Sequence, residues 1–234
     1  EVLYNLQAAD DFIFQVALLD GRCIAGSNEL FGQLMADFRH KFVDGRRREF
    51  ISELNKLSRE RRERFGSHGY MLEPNVKESK GGFRDIQSMI WAAKVVFGIS
   101  SFDDIIDAGF LLPSEGERFN EAHNMLVRIR NRLHYISGRK NDQLYFEQQE
   151  EMAEAFDYQK SGPRLSVERL MRDVYGHLRT ITVVHDLFFD HVNEVLGITA
   201  QDALAGDRDL EKGIEIRDNR VHLRAGQETL AAKP

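Results

Sequence analysis

The chain has 234 residues, 42% of them hydrophobic and 30% charged, with a formal net charge of -6. This is enough for one large domain or two small ones with a real core, and the acidic balance argues against general nucleic-acid binding. The lone Cys23 excludes an internal disulfide, and no apolar run reaches membrane-spanning length, so a reducing, cytoplasmic setting is expected.

Four prolines and abundant Leu, Glu and Arg predict an all-α (mainly α) fold. The expected form is a helical bundle with one long C-terminal helix and a small β-hairpin near the C-terminus. The chain opens at Glu1 without methionine or signal peptide, and reads as an excised fragment.

Residues 10 to 42 predict two helices, with stripes Phe12, Val16, Leu19 and Leu30, Leu34, Phe38. Gly26 and Ser27 separate them, and Ser27 or Asn28 suits the N-cap of the second. Residues 44 to 64 predict a charged helix with a thin stripe of Phe50, Leu54 and Leu57. Its arginines, Arg46, Arg47, Arg48, Arg59, Arg61, Arg62 and Arg64, suit a solvated, salt-bridged face. An anionic-partner surface is the sharper alternative. Gly66-Ser67-His68-Gly69 is expected to end this helix.

Residues 72 to 87 read as a loop feeding a helix. Pro74 favours extended geometry before it, and Ser79, Gly81 and Gly82 break regularity and let the backbone approach a ligand closely. Helical spacing resumes with Phe83, Ile86, Ile90, Ala93 and Phe97, while Arg84, Gln87 and Trp91 share a second face. Free N–H groups at such a helix start accept anions, and Lys77, Lys80 and Arg84 add cationic donors. Asp85 suits the helix dipole, and could orient Arg84 or a metal-bound water. The plainer reading is a glycine turn with solvated lysines.

Ser100 to Asp104 suggests the cap of a short helix. Pro113 and Ser114 open a long one striped by Phe119, Ala122, Leu126, Ile129, Leu133 and Ile136, broken at Ser137-Gly138. Residues 164 to 196 predict the longest helix, capped by Ser166. Its stripe is Val167, Met171, Val174, Leu178, Ile181, His185, Phe188, Val192 and Val195. Glu168, Arg172, Tyr175 and Arg179 share another face, read as solvated pairs or as the wall of a cleft. Ile214-Glu215-Ile216 and Val221-His222-Leu223 alternate around Asp218-Asn219, which predicts the hairpin.

The string Leu72-Glu73-Pro74-Asn75-Val76-Lys77, followed by Gly81-Gly82-Phe83-Arg84-Asp85-Ile86-Gln87, resembles a signature of the bacterial PII uridylyltransferase/uridylyl-removing enzymes. Two further blocks are similar to that family. One holds Arg130 and His134 followed by Gly138-Arg139 and Asn141 to Leu144, with Gln143 where arginine is usual. The other is Val167-Glu168 to Tyr175.

The resemblance implies an enzyme that moves UMP from UTP to a tyrosine of the PII signal protein, with Mg²⁺ held elsewhere. It divides the chain into the end of a nucleotidyltransferase domain (1–66), a helical domain (67–197) and a connector toward a phosphohydrolase domain (198–234). No Gly-Ser followed by a strand-borne Asp-x-Asp pair is found, so no catalytic or metal residue is assigned, and the chain alone is expected to be inactive.

Implied nucleotide-binding residues are Lys77, Lys80, Gly81, Gly82, Arg84 and Asp85. A supporting wall would comprise Glu73, Asn75, Arg130, His134, Arg139, Asp142, Glu168 and Tyr175. Implied partners are UTP, PII and other domains of the longer protein, without nucleic acid or membrane. The alternatives are a non-catalytic module docking PII or neighbouring domains, and a relative using another nucleotide and acceptor. The family's phosphohydrolase domain uses a His-Asp pair, but His185-Asp186 stands alone here on an apolar stripe, and reads as a hydrogen-bonded core histidine.

Overall fold

The first described residue, Asp11, starts a helix by accepting the Ile13 and Phe14 N–H groups on its carboxylate. The computed structural model describes residues 11–65, 72–158, 163–198 and three short strands near the C-terminus. It forms two units, Glu1–Leu196 and Gly197–Pro234. Among the described residues the first unit holds α1 (Phe12–Leu19), α2 (Asn28–Phe38), α3 (Arg47–Phe65), α4 (Phe83–Val96), α5 (Phe102–Asp107), α6 (Pro113–Ser137), α7 (Phe146–Ala155) and α8 (Pro163–Leu196). The fold is mainly α. Among those residues, no helix is long and apolar enough to cross a membrane.

Local chemistry accounts for most helix ends. Ser27 Oγ accepts the Leu30 N–H and starts α2, which runs on into a π-helical turn at Arg39–Val43. Ser101 and Asp104 form a reciprocal capping box on α5. Pro113 opens α6, and Gly138, at φ 58°, closes it. The expected cap at Ser166 is overturned: α8 begins at Pro163, so Ser166 lies inside the first turn and is buried. The predicted Gly66-Ser67-His68-Gly69 stop lies outside the described residues.

Packing is organised along α8, which α4, α6 and α7 line. The α6 stripe of Phe119, Ala122, Leu126, Ile129 and Leu133 is fully buried, and so are Leu170, Val174, Ile181 and Val192 of α8. Each fully buried large aliphatic or aromatic side chain contributes about 1.5–3 kcal/mol. Phe102 and Phe119 stack face to face, with ring centroids 3.8 Å apart. On α8 the apolar stripe ends before Val195, which is exposed.

In α4 the burial differs from the predicted stripe. Met89, Ala92 and Val96 are buried, along with the polar Asp85 and Ser88, because α4 lies between α3 and α8. The α7 segment was not anticipated, being mostly Glu and Gln; Met152, Ala153 and the amide of Gln149 form its buried face.

Among the described residues the second unit holds three strands, Arg208–Leu210, Ile214–Arg217 and Arg220–Leu223, in antiparallel order. Ile216 pairs with Val221 and Ile214 with Leu223, the alternation expected of the hairpin, and Arg208–Leu210 adds a third strand. The expected turn at Asp218-Asn219 lies outside the described residues.

Candidate functional site

The loop before α4 is held by backbone pairing to the segment after α6. Val76 N–H donates to the Asp142 carbonyl at 2.8 Å, and Leu144 N–H donates to the Pro74 carbonyl at 3.0 Å. Asn75 and Gln143 form the bridge between them. Asn75 Oδ1 also accepts the Lys77 and Glu78 N–H groups, at 3.0 and 2.8 Å, an Asx turn that fixes the next residues. Glu73 accepts the Phe146 N–H at the start of α7, and its carbonyl accepts a hydrogen bond from Gln143. Glu73 and Asn75 thus shape the loop, and Gln143 ties it to the segment after α6.

The glycine pair has a different purpose from the one the sequence suggests. Gly81 sits at φ 80°, where a Cβ would lie 1.9 Å from the Leu178 carbonyl oxygen of α8. A Cβ on Gly82 would lie 2.7 Å from the Val76 carbonyl oxygen. The close approach is therefore backbone to backbone. The expectation of free N–H groups at the helix mouth is also overturned. Phe83 and Arg84 donate to the Val76 and Lys77 carbonyls at 3.1 and 3.0 Å, and Gly82 donates to Ser79. Such a mouth offers few backbone donors to an anion, and the cationic side chains remain.

Those side chains fall into two networks. In the first, Glu78 Oε1 lies 3.1 Å from Lys77 Nζ and 3.6 Å from Arg84 Nε. Arg84 also donates to Gln87 at 2.9 Å. Nearby, Asp142 accepts from Arg130 at 2.7 Å and lies 3.2 Å from His134 Nε2. The Arg130 guanidinium covers the Phe83 ring at 5.4 Å, and Phe83 meets His123 edge to face. Burial opposes ionisation of Asp142, but Arg130, His134 and Lys77 outweigh it and hold its carboxyl below the ordinary value. Burial likewise pushes the His123 imidazole down. The structure therefore brings together Lys77, Arg84, Arg130, His134 and Asp142.

The second network ties α3, the loop, α4 and α8 together. Asp85 is fully buried and accepts the Gly81 N–H at 2.7 Å. Arg61 donates to its other oxygen and, at 2.9 Å, to the Glu78 carbonyl. Arg62 Nη2 lies 3.5 Å from Asp85 and 3.2 Å from Asp186, whose second oxygen pairs with Lys80 at 3.3 Å. Desolvation works against both carboxylates, yet His185 and the two arginines hold Asp85 below its usual value, and His185, Arg62 and Lys80 do so for Asp186. Lys80 and Asp85, expected at the nucleotide, are thus placed in this internal network, and Asp85 orients Arg61 rather than Arg84.

The sequence did not single out Ser88, and it offered Arg61 and Arg62 only for an anionic-partner surface and Asp186 only as half of a His-Asp pair. The solvated-face expectation holds for Arg46, just before α3, and for Arg48, Arg59 and Arg64 on it, which are exposed; Arg47 is exposed but donates to the Val96 carbonyl, and Arg61 and Arg62 turn inward to Asp85. Neither residue type nor spacing sets these two apart from the other arginines of the helix. His185 is a hydrogen-bonded core residue, as expected, with Ser88 Oγ 3.2 Å from Nε2 and Asp186 3.1 Å from Nδ1.

The order Ser88–His185–Asp186 matches the connectivity of a hydrolytic triad. Ser88, however, is only 2% exposed and its hydroxyl donates to the Asp85 carbonyl at 2.8 Å, so no substrate reaches it. The remaining wall residues lie apart. Arg139 lines a shallow polar cleft with Ser137, Asn141, Tyr145, Glu147 and Gln148. Tyr175 is half-buried, which raises its phenol pKa, and lies one turn from Leu178. Glu168 is exposed, ten residues from Leu178 and so about 15 Å away along α8.

A family model described as GlnD PII-uridylyltransferase matches residues 49–189. The chain is 33% identical over 222 residues to a bifunctional uridylyltransferase/uridylyl-removing enzyme of Burkholderia orbicola, a match covering 92% of this chain and 25% of the relative. It is 32% identical over 187 residues to the enzyme of that name from Erythrobacter litoralis, covering 80% and 20%. The Ruegeria pomeroyi relative is 36% identical over 166 residues, covering 71% and 18%. The chain thus spans a quarter or less of the length of these relatives. No solved structure matches it. By the family model that spans the loop, both charge networks and most of α8, this chain belongs to the GlnD PII-uridylyltransferase family.

Proposed function

We propose that this chain is the helical region that completes the nucleotide cleft of an enzyme transferring UMP from UTP to a tyrosine of the PII protein. The observation that carries the reading is the pair Lys77 and Arg84. Lys77 sits on the loop that two backbone pairings fix and Arg84 in the first turn of α4, at 20% and 37% exposure, converging on one carboxylate. Two such cations suit a triphosphate oxygen better than a neutral ligand. Arg130, His134 and Asp142 support them from α6 and the segment after it. Residues 1–66 would end the transferase domain, 67–197 form its helical companion, and 198–234 lead onward. A cytoplasmic setting goes with this reading.

The described residues do not fit Mg²⁺. Asp85, Asp142 and Asp186 are each already neutralised by Arg, Lys or His, and no cluster of three candidate ligands occurs among those residues. The chain alone is expected not to transfer UMP.

Calorimetric titration of the chain with Mg-UTP, at fixed ionic strength, tests the reading beside a Lys77→Ala, Arg84→Ala double variant. Saturable binding that weakens about tenfold or more in the variant is expected. Equal, salt-driven binding by both would discard the phosphate site. A second reading, a docking surface for PII, is favoured by exposed Arg48, Arg59 and Arg64 on α3. Charge reversal at Arg59 and Arg64 should then abolish PII retention in a pull-down, and retention that persists would remove it.

A further inference from the structure

We infer that the Glu78 carboxylate is an internal counter-anion that fills the seat between Lys77 and Arg84, so that a ligand phosphate enters by displacing it. The inference rests on the phosphate-site reading above and adds how that site selects its ligand. One carboxylate oxygen of Glu78 lies within 3.1 Å of Lys77 Nζ and 3.6 Å of Arg84 Nε, the place where an oxygen bridging both cations would sit. The Glu78 backbone is pinned on both sides: its N–H donates to Asn75 Oδ1 at 2.8 Å and its carbonyl accepts from Arg61 at 2.9 Å. Its side chain therefore swings on its own torsions without disturbing the loop.

Part-exposed ion pairs of this kind are individually weak, so displacement is inexpensive. The exchange sets a threshold. A monovalent carboxylate ligand gains nothing over the carboxylate already present, whereas a phosphoanhydride brings more charge and more acceptor oxygens. Glu78 is thus a specificity-determining residue that favours polyphosphate chains over simple anions.

Inorganic pyrophosphate, without metal and at constant ionic strength, is the probe. It is titrated into the 234-residue chain, Glu78→Gln, Lys77→Ala/Arg84→Ala, and the triple variant. Glu78→Gln is expected to bind about fivefold tighter than the parent chain, with an unchanged melting temperature because its backbone contacts remain. The gain should vanish in the triple variant. If the parent binds, the double variant loses binding and Glu78→Gln shows no gain, the counter-anion idea fails while the site stands. A gain that persists in the triple variant reduces Glu78 to a general surface charge and also overturns it. Saturable binding by neither the parent nor Glu78→Gln overturns the site reading along with the inference.

Discussion

Replacing Asp85 with asparagine keeps the side-chain size and removes its charge. The wild-type carboxylate offers one oxygen to Arg61 and the other, at 2.7 Å, to the Gly81 N–H. Asparagine has a single acceptor oxygen, so one of these donors must face an NH₂ group. A buried donor left without a partner costs about 1–3 kcal/mol, and removing one member of a buried ion pair costs about 3–5 kcal/mol. Arg61 and Arg62 keep 12% and 23% of their side-chain exposure, which restores some hydration and places the total near the low end, about 3 kcal/mol. The competing view, Asp85 as a first-turn acid favoured by the helix dipole, is worth only about 0.3–1 kcal/mol. Urea unfolding followed by circular dichroism separates the two. A loss below about 1 kcal/mol would refute the claim that Asp85 ties α3, the loop and α4 together.

Gly81→Ala should cost about 3 kcal/mol or more, since it combines a positive φ with a Cβ driven into the Leu178 carbonyl; amide exchange at Gly82 and Phe83 unchanged from the parent chain would contradict the docking on α8. Asp85, Asp142 and Asp186 all release their protons more readily folded than unfolded. The unfolded chain then binds more protons in acid, so their contribution is complete above the unfolded carboxyl range near about pH 4 and is lost as pH falls through the lower folded values. A urea midpoint at about pH 3 equal to that at about pH 7 would contradict it. Trp91, the sole tryptophan, donates to Asp20 at 2.7 Å, and Lys94 pairs with the same carboxylate at 2.6 Å. Asp20→Ala should shift tryptophan emission while costing about 1 kcal/mol or less; unaltered emission would place α1 away from α4.

The α6 core was legible because Phe119, Ala122, Leu126, Ile129 and Leu133 keep a clean helical period on one face. The hairpin was legible for the same reason at period two. The arginine doublet was not. Arg61 and Arg62 are the same residue type as their exposed neighbours, their shared partner Asp85 lies on another helix, and Arg62's second partner Asp186 lies 124 residues further on. Helix α7 hid behind its glutamates, since Gln149 earns its burial by donating to the Leu72 and Leu144 carbonyls, a contact between distant segments. The glycine pair was recognised as a place of close approach, but whether a ligand or a backbone does the approaching depends on where α8 passes.

Amide chemical-shift mapping of the chain during titration with Mg-UTP tests the proposed phosphate seat of Lys77 and Arg84, backed by Arg130, His134 and Asp142. The expected result is saturable shifts concentrated at Lys77 to Arg84 and around Asp142, whose carbonyl holds the Val76 N–H. Shifts confined to the exposed arginines of α3, or spread evenly and erased by salt, would contradict it.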